Sequence, residues 1–220
     1  MAYLTLKSGT FPATEIEIKR SRFLGFAARV ETEDGAREFL AAVRQGHREA
    51  RHVCHAFVIG QDRLHRSSDD GEPAGTAGMP ILNAIINRTT PAAINGVSDV
   101  SVCVVRYFGG IKLGAGGLVQ AYSQTAAELL DSAEFVLHEQ VENVSIVLPT
   151  TESVRVETSL RNLGYNLRPT EYQTDTGILS IIVREAGIAG LQEIIASLTS
   201  GSGELRRVGK SWQDSPVPTV

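Results

Sequence analysis

Five glycines, Gly109, Gly110, Gly114, Gly116 and Gly117, fall within nine positions directly after an apolar run that closes on Arg106 and Tyr107. Glycine loses more backbone freedom on folding than any other residue. Such a density therefore marks a place where the chain needs positive φ or a close backbone approach. The run before it, residues 100–105, reads as a buried strand, and LVQAYSQTAAELL from Leu118 reads as a helix. A strand, a glycine loop and a helix start together aim free backbone N–H groups at one point, an arrangement suited to an anion.

The rest of the chain constrains the fold around that junction. EIEIKRSRFLGFAARV alternates apolar and polar residues and predicts a strand pair. Thr32 caps a helix whose apolar face is Phe39, Leu40 and Val43. RHVCHAFVIG and DRLHRSS predict a hairpin, and Pro80 opens a helix, PILNAIINR. Helices thus alternate with strands over residues 1–135, an α+β sandwich. Beyond them, VENVSIVLP, TESVRVETSLRNLGY, LRPTEYQTD, GILSIIVRE, GIAGLQEIIASLTS and GELRRVGKSW follow the order β-α-β-β-α-β. That is the ferredoxin-like pattern, expected over residues 141–210. QDSPVPTV ends the chain, and residues 211–220 are expected to form a flexible tail.

Bulk composition narrows the function classes. Of the 220 residues, 42% are hydrophobic and 21% charged, ordinary values for a globular protein. No apolar run approaches the length of a membrane span, and the N-terminus shows no export signal, so a cytoplasmic protein without a membrane partner is expected. Cys54 and Cys103 lie in strand-like runs and read as buried thiols rather than a disulfide. The net charge is −4. Residues 1–135 carry 14 basic against 15 acidic residues and the remainder 7 against 10. Neither half has the basic excess of a general nucleic-acid binder, so such a role needs a local patch.

Several side chains are candidates for that patch or for a ligand site. Arg106, at the end of its strand, suits bidentate contact with phosphate or carboxylate. It equally suits an ion pair that pins the SSDDGEP loop. The glycine run is neither a P-loop nor a dinucleotide fingerprint, since both spacings are absent and Lys112 lies inside the run. It reads either as an anion site helped by Lys112 or as a tightly packed turn. Ser68, Asp69, Asp70 and Glu72 could hold magnesium beside a phosphate, or form a solvated loop. His52 and Cys54 share a strand face while His55 points away, too few ligands for zinc. Lys19, Arg20, Arg22, Arg106 and Lys112, with Phe23, Tyr107 and Phe108, form either a basic, aromatic RNA surface or a charged strand edge. Neither a G-x-S-x-G elbow nor an H-E-x-x-H helix occurs. No metal, cofactor or catalytic set is assigned, and a binding protein is favoured over an enzyme.

RYFGGIKLGAGGLVQAY (residues 106–122), SSDDGEPAGTAGMPIL (67–82) and ARHVCHAF (50–57), in that spacing and order, resemble the IMPACT family in its bacterial YigZ-type form. Ala74 and Met79 depart from the pattern, where a serine and a basic residue are common. The resemblance implies an N-terminal domain folded like the second domain of a small-subunit ribosomal protein. It also implies a ferredoxin-like C-terminal domain similar to one of an elongation factor. Eukaryotic IMPACT proteins regulate translation initiation, so the implied function is translation regulation, with RNA or a ribosome-associated factor as partner. Binding residues expected on this reading are Lys19, Arg20, Arg22, His52, Asp69, Asp70, Glu72, Arg106, Tyr107, Gly109, Gly110, Lys112, Gly114, Gly116 and Gly117. The alternative is an enzyme or sensor that uses the glycine loop to bind a nucleotide or another phosphorylated small molecule. A third reading is a protein-interaction adaptor using the C-terminal sheet.

Overall fold

Buried Tyr3, Leu4 and Leu6 make a strand of the N-terminus, β1 (Ala2–Leu6), in a computed structural model that describes residues 2–91 and 94–218. Local sequence pattern does not mark this strand, because its ties are distant. Lys7 N–H donates to the carbonyl of Glu134, and Leu4 exchanges backbone bonds with Gly96 and Ser98.

The alternating segment folds as the hairpin β2 (Ala13–Ile18) and β3 (Ser21–Arg29). Helix α1 (Glu33–Gly46) starts where Thr32 Oγ1 accepts from Gly35 N–H at 3.0 Å, a side-chain cap on an otherwise orphan donor. The second hairpin is β4 (His52–Ile59) and β5 (Leu64–Ser68). After it come α2 (Gly78–Ile86), β6 (Val100–Tyr107) and α3 (Gly114–Asp131). The five strands order as β2-β3-β6-β4-β5, each pair antiparallel. Central β6 is buried along nearly its whole length and its residues alternate between two cores. Val102 and Val104 pack with Ile81, Ile85, Tyr122 and Leu129 of α2 and α3. Cys103 and Val105 pack with Val43 of α1 and Val53. Each large apolar side chain so buried contributes about 1.5–3 kcal/mol.

The second unit begins within a long strand, β7 (Phe135–Pro149). It continues through α4 (Thr150–Asn162), the two-residue strands β8 (Asn166–Leu167) and β9 (Glu171–Tyr172), and β10 (Thr176–Val183). Helix α5 (Ile188–Leu198) and β11 (Arg206–Ser215) complete it. β7 lies between β11 and β10, and β8 and β9 flank β10. That is the ferredoxin-like order, with Val156, Leu160, Leu191 and Ile195 of the helices in the core. LRPTEYQTD, expected as one strand, is split in two around Pro169, which has no N–H to donate. The protein is thus an α+β protein of two compact units, Met1–His138 with Asp214–Val220, and Glu139–Gln213.

The flexible tail expected over 211–220 is corrected as far as residue 217; residues 219–220 lie outside the described residues. β11 runs on to Ser215, and Val217 packs on the first unit's core. Asp214 holds this return in place, accepting from Arg29 Nη1 at 2.6 Å and lying 2.6 Å from His138 Nδ1. Burial raises the Asp214 pKa, but the bonds and charges of Arg29 and His138 outweigh it and hold the carboxyl below its usual value. A depressed folded pKa stabilises above the unfolded value, and that contribution is lost as pH falls through the folded one. Asp214→Asn should therefore lower stability by roughly 1 kcal/mol at neutral pH, discounted for partial exposure. The deficit relative to wild type should begin to close below about pH 4 and vanish below the folded pKa, as read from urea midpoints at several pH values.

Candidate functional site

Arg106 is two and four residues from Val104 and Val102, so its side chain points to the α2–α3 face of the sheet, as the strand phase requires. There it meets the SSDDGEP loop: Nη1 donates to Glu72 Oε1 at 2.7 Å, with both side chains buried. The guanidinium carbon lies 5.5 Å from the rings of Phe23 and Phe108. Tyr122, from α3, donates to the same Glu72 oxygen at 2.9 Å, and burial drives its pKa upward. The Cys54 thiol reaches Tyr122 and donates to the Asp69 carbonyl at 3.0 Å. Burial pushes the Cys54 pKa up to about 12, so it is an inert thiol.

The remaining acids of the loop are engaged in building it. Asp69 accepts from the N–H groups of Gly75, Ala77 and Gly78 at 2.8–2.9 Å, which caps α2 from eight residues upstream. Burial raises its pKa, and those three donors more than reverse the effect. Asp70 accepts from Val53 N–H at 2.7 Å and from Arg44 at 2.6 Å. His52 Nδ1 donates to the Asp70 carbonyl at 2.9 Å, which fixes its tautomer. Asp69 and Asp70, expected as ligand-binding residues, are thus each bonded within the fold. Among the described residues no three His, Cys, Asp or Glu side chains are grouped to hold a metal.

The glycine run divides into two parts. A Cβ on Gly109 would lie 2.0 Å from the backbone of Arg20, so this glycine permits the loop to touch the β2–β3 turn. Gly110 adopts φ +86° with open space around it. Gly114, Gly116 and Gly117 are not loop but the first turn of α3, which starts four residues before the expected Leu118. Among the described residues no side chain caps that terminus, so its N–H groups are open to a ligand.

A cleft of about 770 Å³ opens at this terminus. Its charged lining is Arg51, Arg106 and Lys112 against Glu49 and Glu72, with His52 beside them. Leu113, Leu118 and Pro73 form an apolar wall, and Phe108 and Tyr107 lie at its aromatic side. Of the residues expected from sequence, Arg106, Tyr107, Lys112, Gly114, Glu72 and His52 meet here. Lys19, Arg20 and Arg22 do not line the cleft. Lys19 and Arg20 form the turn that Gly109 touches, and Arg22 pairs with Glu15 at 2.6 Å while lying 5.7 Å over Tyr107. The sequence reading missed Glu49, Arg51, Leu113 and Tyr122. For Tyr122 the signal was present: on the apolar stripe of α3, its hydroxyl needs a buried partner. Ala74 and Met79 are exposed and outside the cleft.

Fold and site together define a two-domain α+β protein with a charged cleft at a strand–glycine–helix junction. The chain belongs to the IMPACT family: residues 19–130 match the Impact N-terminal domain. It is similar to IMPACT family member YvyE of Bacillus subtilis, 34% identical over 217 residues, 98% of this chain and 95% of the relative. IMPACT family member YigZ of Escherichia coli is 31% identical over 207 residues, 91% and 98% of the two chains. A Thermus thermophilus relative is 49% identical over 145 residues, covering 66% and 74%. A crystal structure of a hypothetical protein superposes with a TM-score of 0.59 at 30% identity, covering 93% of this chain and 96% of that one.

Two glycines make a controlled comparison. Gly109→Ala drives a methyl into the Arg20 backbone and should destabilise by about 1–3 kcal/mol. Gly116→Ala meets nothing within 4 Å and keeps a negative φ, so it should be neutral or stabilising by up to about 1 kcal/mol. Thermal unfolding of the two variants checks both, and equal melting temperatures would refute the close approach at Gly109.

Proposed function

We propose that this is a cytoplasmic, non-enzymatic binding protein linked to translation that binds single-stranded RNA through its first unit. One observation carries the reading. Lys19 and Arg20 join β2 to β3 as a two-residue turn with φ of 49° and 67°. Such a turn favours Asn-Gly, and a side chain in the left-handed region costs roughly 1–2 kcal/mol per residue. Two exposed cations held there at a stability cost match a functional site.

The surroundings suit the same partner. Phe108 is 56% exposed, enough to stack with a base. Arg22, an exposed cation, lies over the ring of Tyr107. Lys112 follows Gly109 by three residues and has no hydrogen-bond partner among the described residues. A local patch of this kind is what a chain of net charge −4 needs to attract phosphates. The link to translation comes from the family resemblance. The cleft at α3 favours a second reading, a nucleotide- or phosphate-ester-binding enzyme or sensor.

Replacing the turn separates stability from function. Lys19→Asn with Arg20→Gly should raise the melting temperature by a few degrees, at about 2–4 °C per kcal/mol for a chain of this size. The same variant should weaken binding of a fluorescent uridine oligomer. Its log–log salt slope should fall by about 0.7 for each phosphate that the turn no longer neutralises. Unchanged affinity and slope would refute the RNA reading at this turn.

A further inference from the structure

We infer that the cleft at the start of α3 binds a nucleotide bearing a terminal phosphate monoester, held by the helix's free N–H groups and Lys112 with Arg106 behind them. The inference depends on the RNA reading only for the source of that phosphate, which is either the end of an RNA strand or a free nucleoside monophosphate.

Three features converge: an open helix terminus, a buried arginine with an unsatisfied donor and two further cations. The uncapped terminus of α3 lines the cleft through Gly114 and Ala115. Gly114 has nothing within 4 Å of an added Cβ, so its surroundings are open to a ligand. Arg106 is only 7% exposed. Glu72 takes its Nη1, while its buried Nε has no partner. A guanidinium with unused donors in a cleft wall is matched to an anion, because an unsatisfied buried donor is costly and a charge-assisted bond relieves it. Lys112 and Arg51 add two cations with no ion-pair partner among the described residues, so the cleft has three positive groups against two carboxylates.

The shape and remaining chemistry select a nucleotide over a bare anion. A volume of about 770 Å³ lies within the 300–1,000 Å³ usual for small-molecule sites. Pro73, Leu113 and Leu118 provide an apolar wall and Phe108 an aromatic face for a base. Glu49 is the lining carboxylate without an ion-pair partner among the described residues, an acceptor suited to a ribose hydroxyl. A terminal monoester fits better than an internal diester. It presents three free oxygens and up to two charges to donors that converge from a helix end, a lysine and a guanidinium.

Fluorescence anisotropy with a short labelled RNA bearing a 5′-phosphate, a 3′-phosphate or hydroxyls at both ends tests this. One phosphorylated end should bind about tenfold more tightly than the hydroxyl-ended strand, as one further charge-assisted bond provides. Lys112→Ala, an exposed change, should reduce that advantage to about twofold or less. Adenosine monophosphate should compete with the preferred end in the wild-type protein and much less in the variant. RNA that binds with no end preference would overturn this site while leaving the RNA reading intact. Adenosine monophosphate that binds in a Lys112-dependent manner, with no RNA binding, would keep the site and remove the RNA reading. Binding of neither probe in calorimetry removes both.

Discussion

The ion pair between Arg106 and Glu72, buried at 2.7 Å, is the interaction on which the site depends. Desolvating two charges is expensive, and such a pair often contributes little net stability against an apolar replacement. What it provides here is position. Arg106 is fixed by the register of β6, opposite Phe23 of β3 and His52 of β4. Glu72 belongs to a loop with no regular structure, so the pair ties that loop to the sheet. Tyr122 makes the same carboxylate a junction with α3. A loop, a strand and a helix therefore meet at one oxygen, and the cleft opens beside it.

The loop's own construction follows a division of labour among three acids. Asp69 supplies the α2 terminus with the acceptor that its capping residue, Ala77, lacks. Asp70 clamps the start of β4 to Arg44 of α1. Only Glu72 is turned toward the cleft. The carboxylates of this acidic run are engaged within the fold, accepting from backbone N–H groups, a tyrosine hydroxyl and guanidinium donors. The glycines alternate in the same way. Gly78 lets the α2 start lie against Ser68, where a Cβ would come within 2.7 Å of backbone. Gly109 does the same for the β6 exit against Arg20.

Local periodicity was legible in the sequence, and distance in sequence was not. The two cores of the first unit follow directly from the alternation of Val102, Cys103, Val104 and Val105, which also placed Arg106 and Tyr107 on opposite faces. Thr32 announced its cap. The ferredoxin-like order of the second unit could be read from alternating strands and glycine stops. β1 could not, since its partners lie as far away as Glu134. The end of β11 was hidden for the same reason, because its anchor Asp214 bonds to Arg29, 185 residues earlier. α3 was read four residues short because glycines are poor helix formers in an interior. At the first turn that penalty matters less, since those N–H groups have no intrahelical partner in any case. The candidate site was half legible: Arg106 and Lys112 stood out as charges beside glycines, whereas Glu49 and Arg51 gave no pattern before β4 brought them to the same cleft.

The turn of Lys19 and Arg20 joins these observations. In this two-residue hairpin turn both residues lie in the left-handed region, as a type I′ turn requires, and a glycine at either place would relieve the chain. The sequence instead has cations at both positions and a glycine at 109, against the outside of the turn. Conformational freedom has thus been placed in the loop that must approach and withheld from the turn that presents charge. The result is a pair of exposed cations on a turn that touches a glycine junction whose helix end is open. In a chain with more acidic than basic residues, attraction of an anion rests on that local arrangement rather than on the protein's overall field.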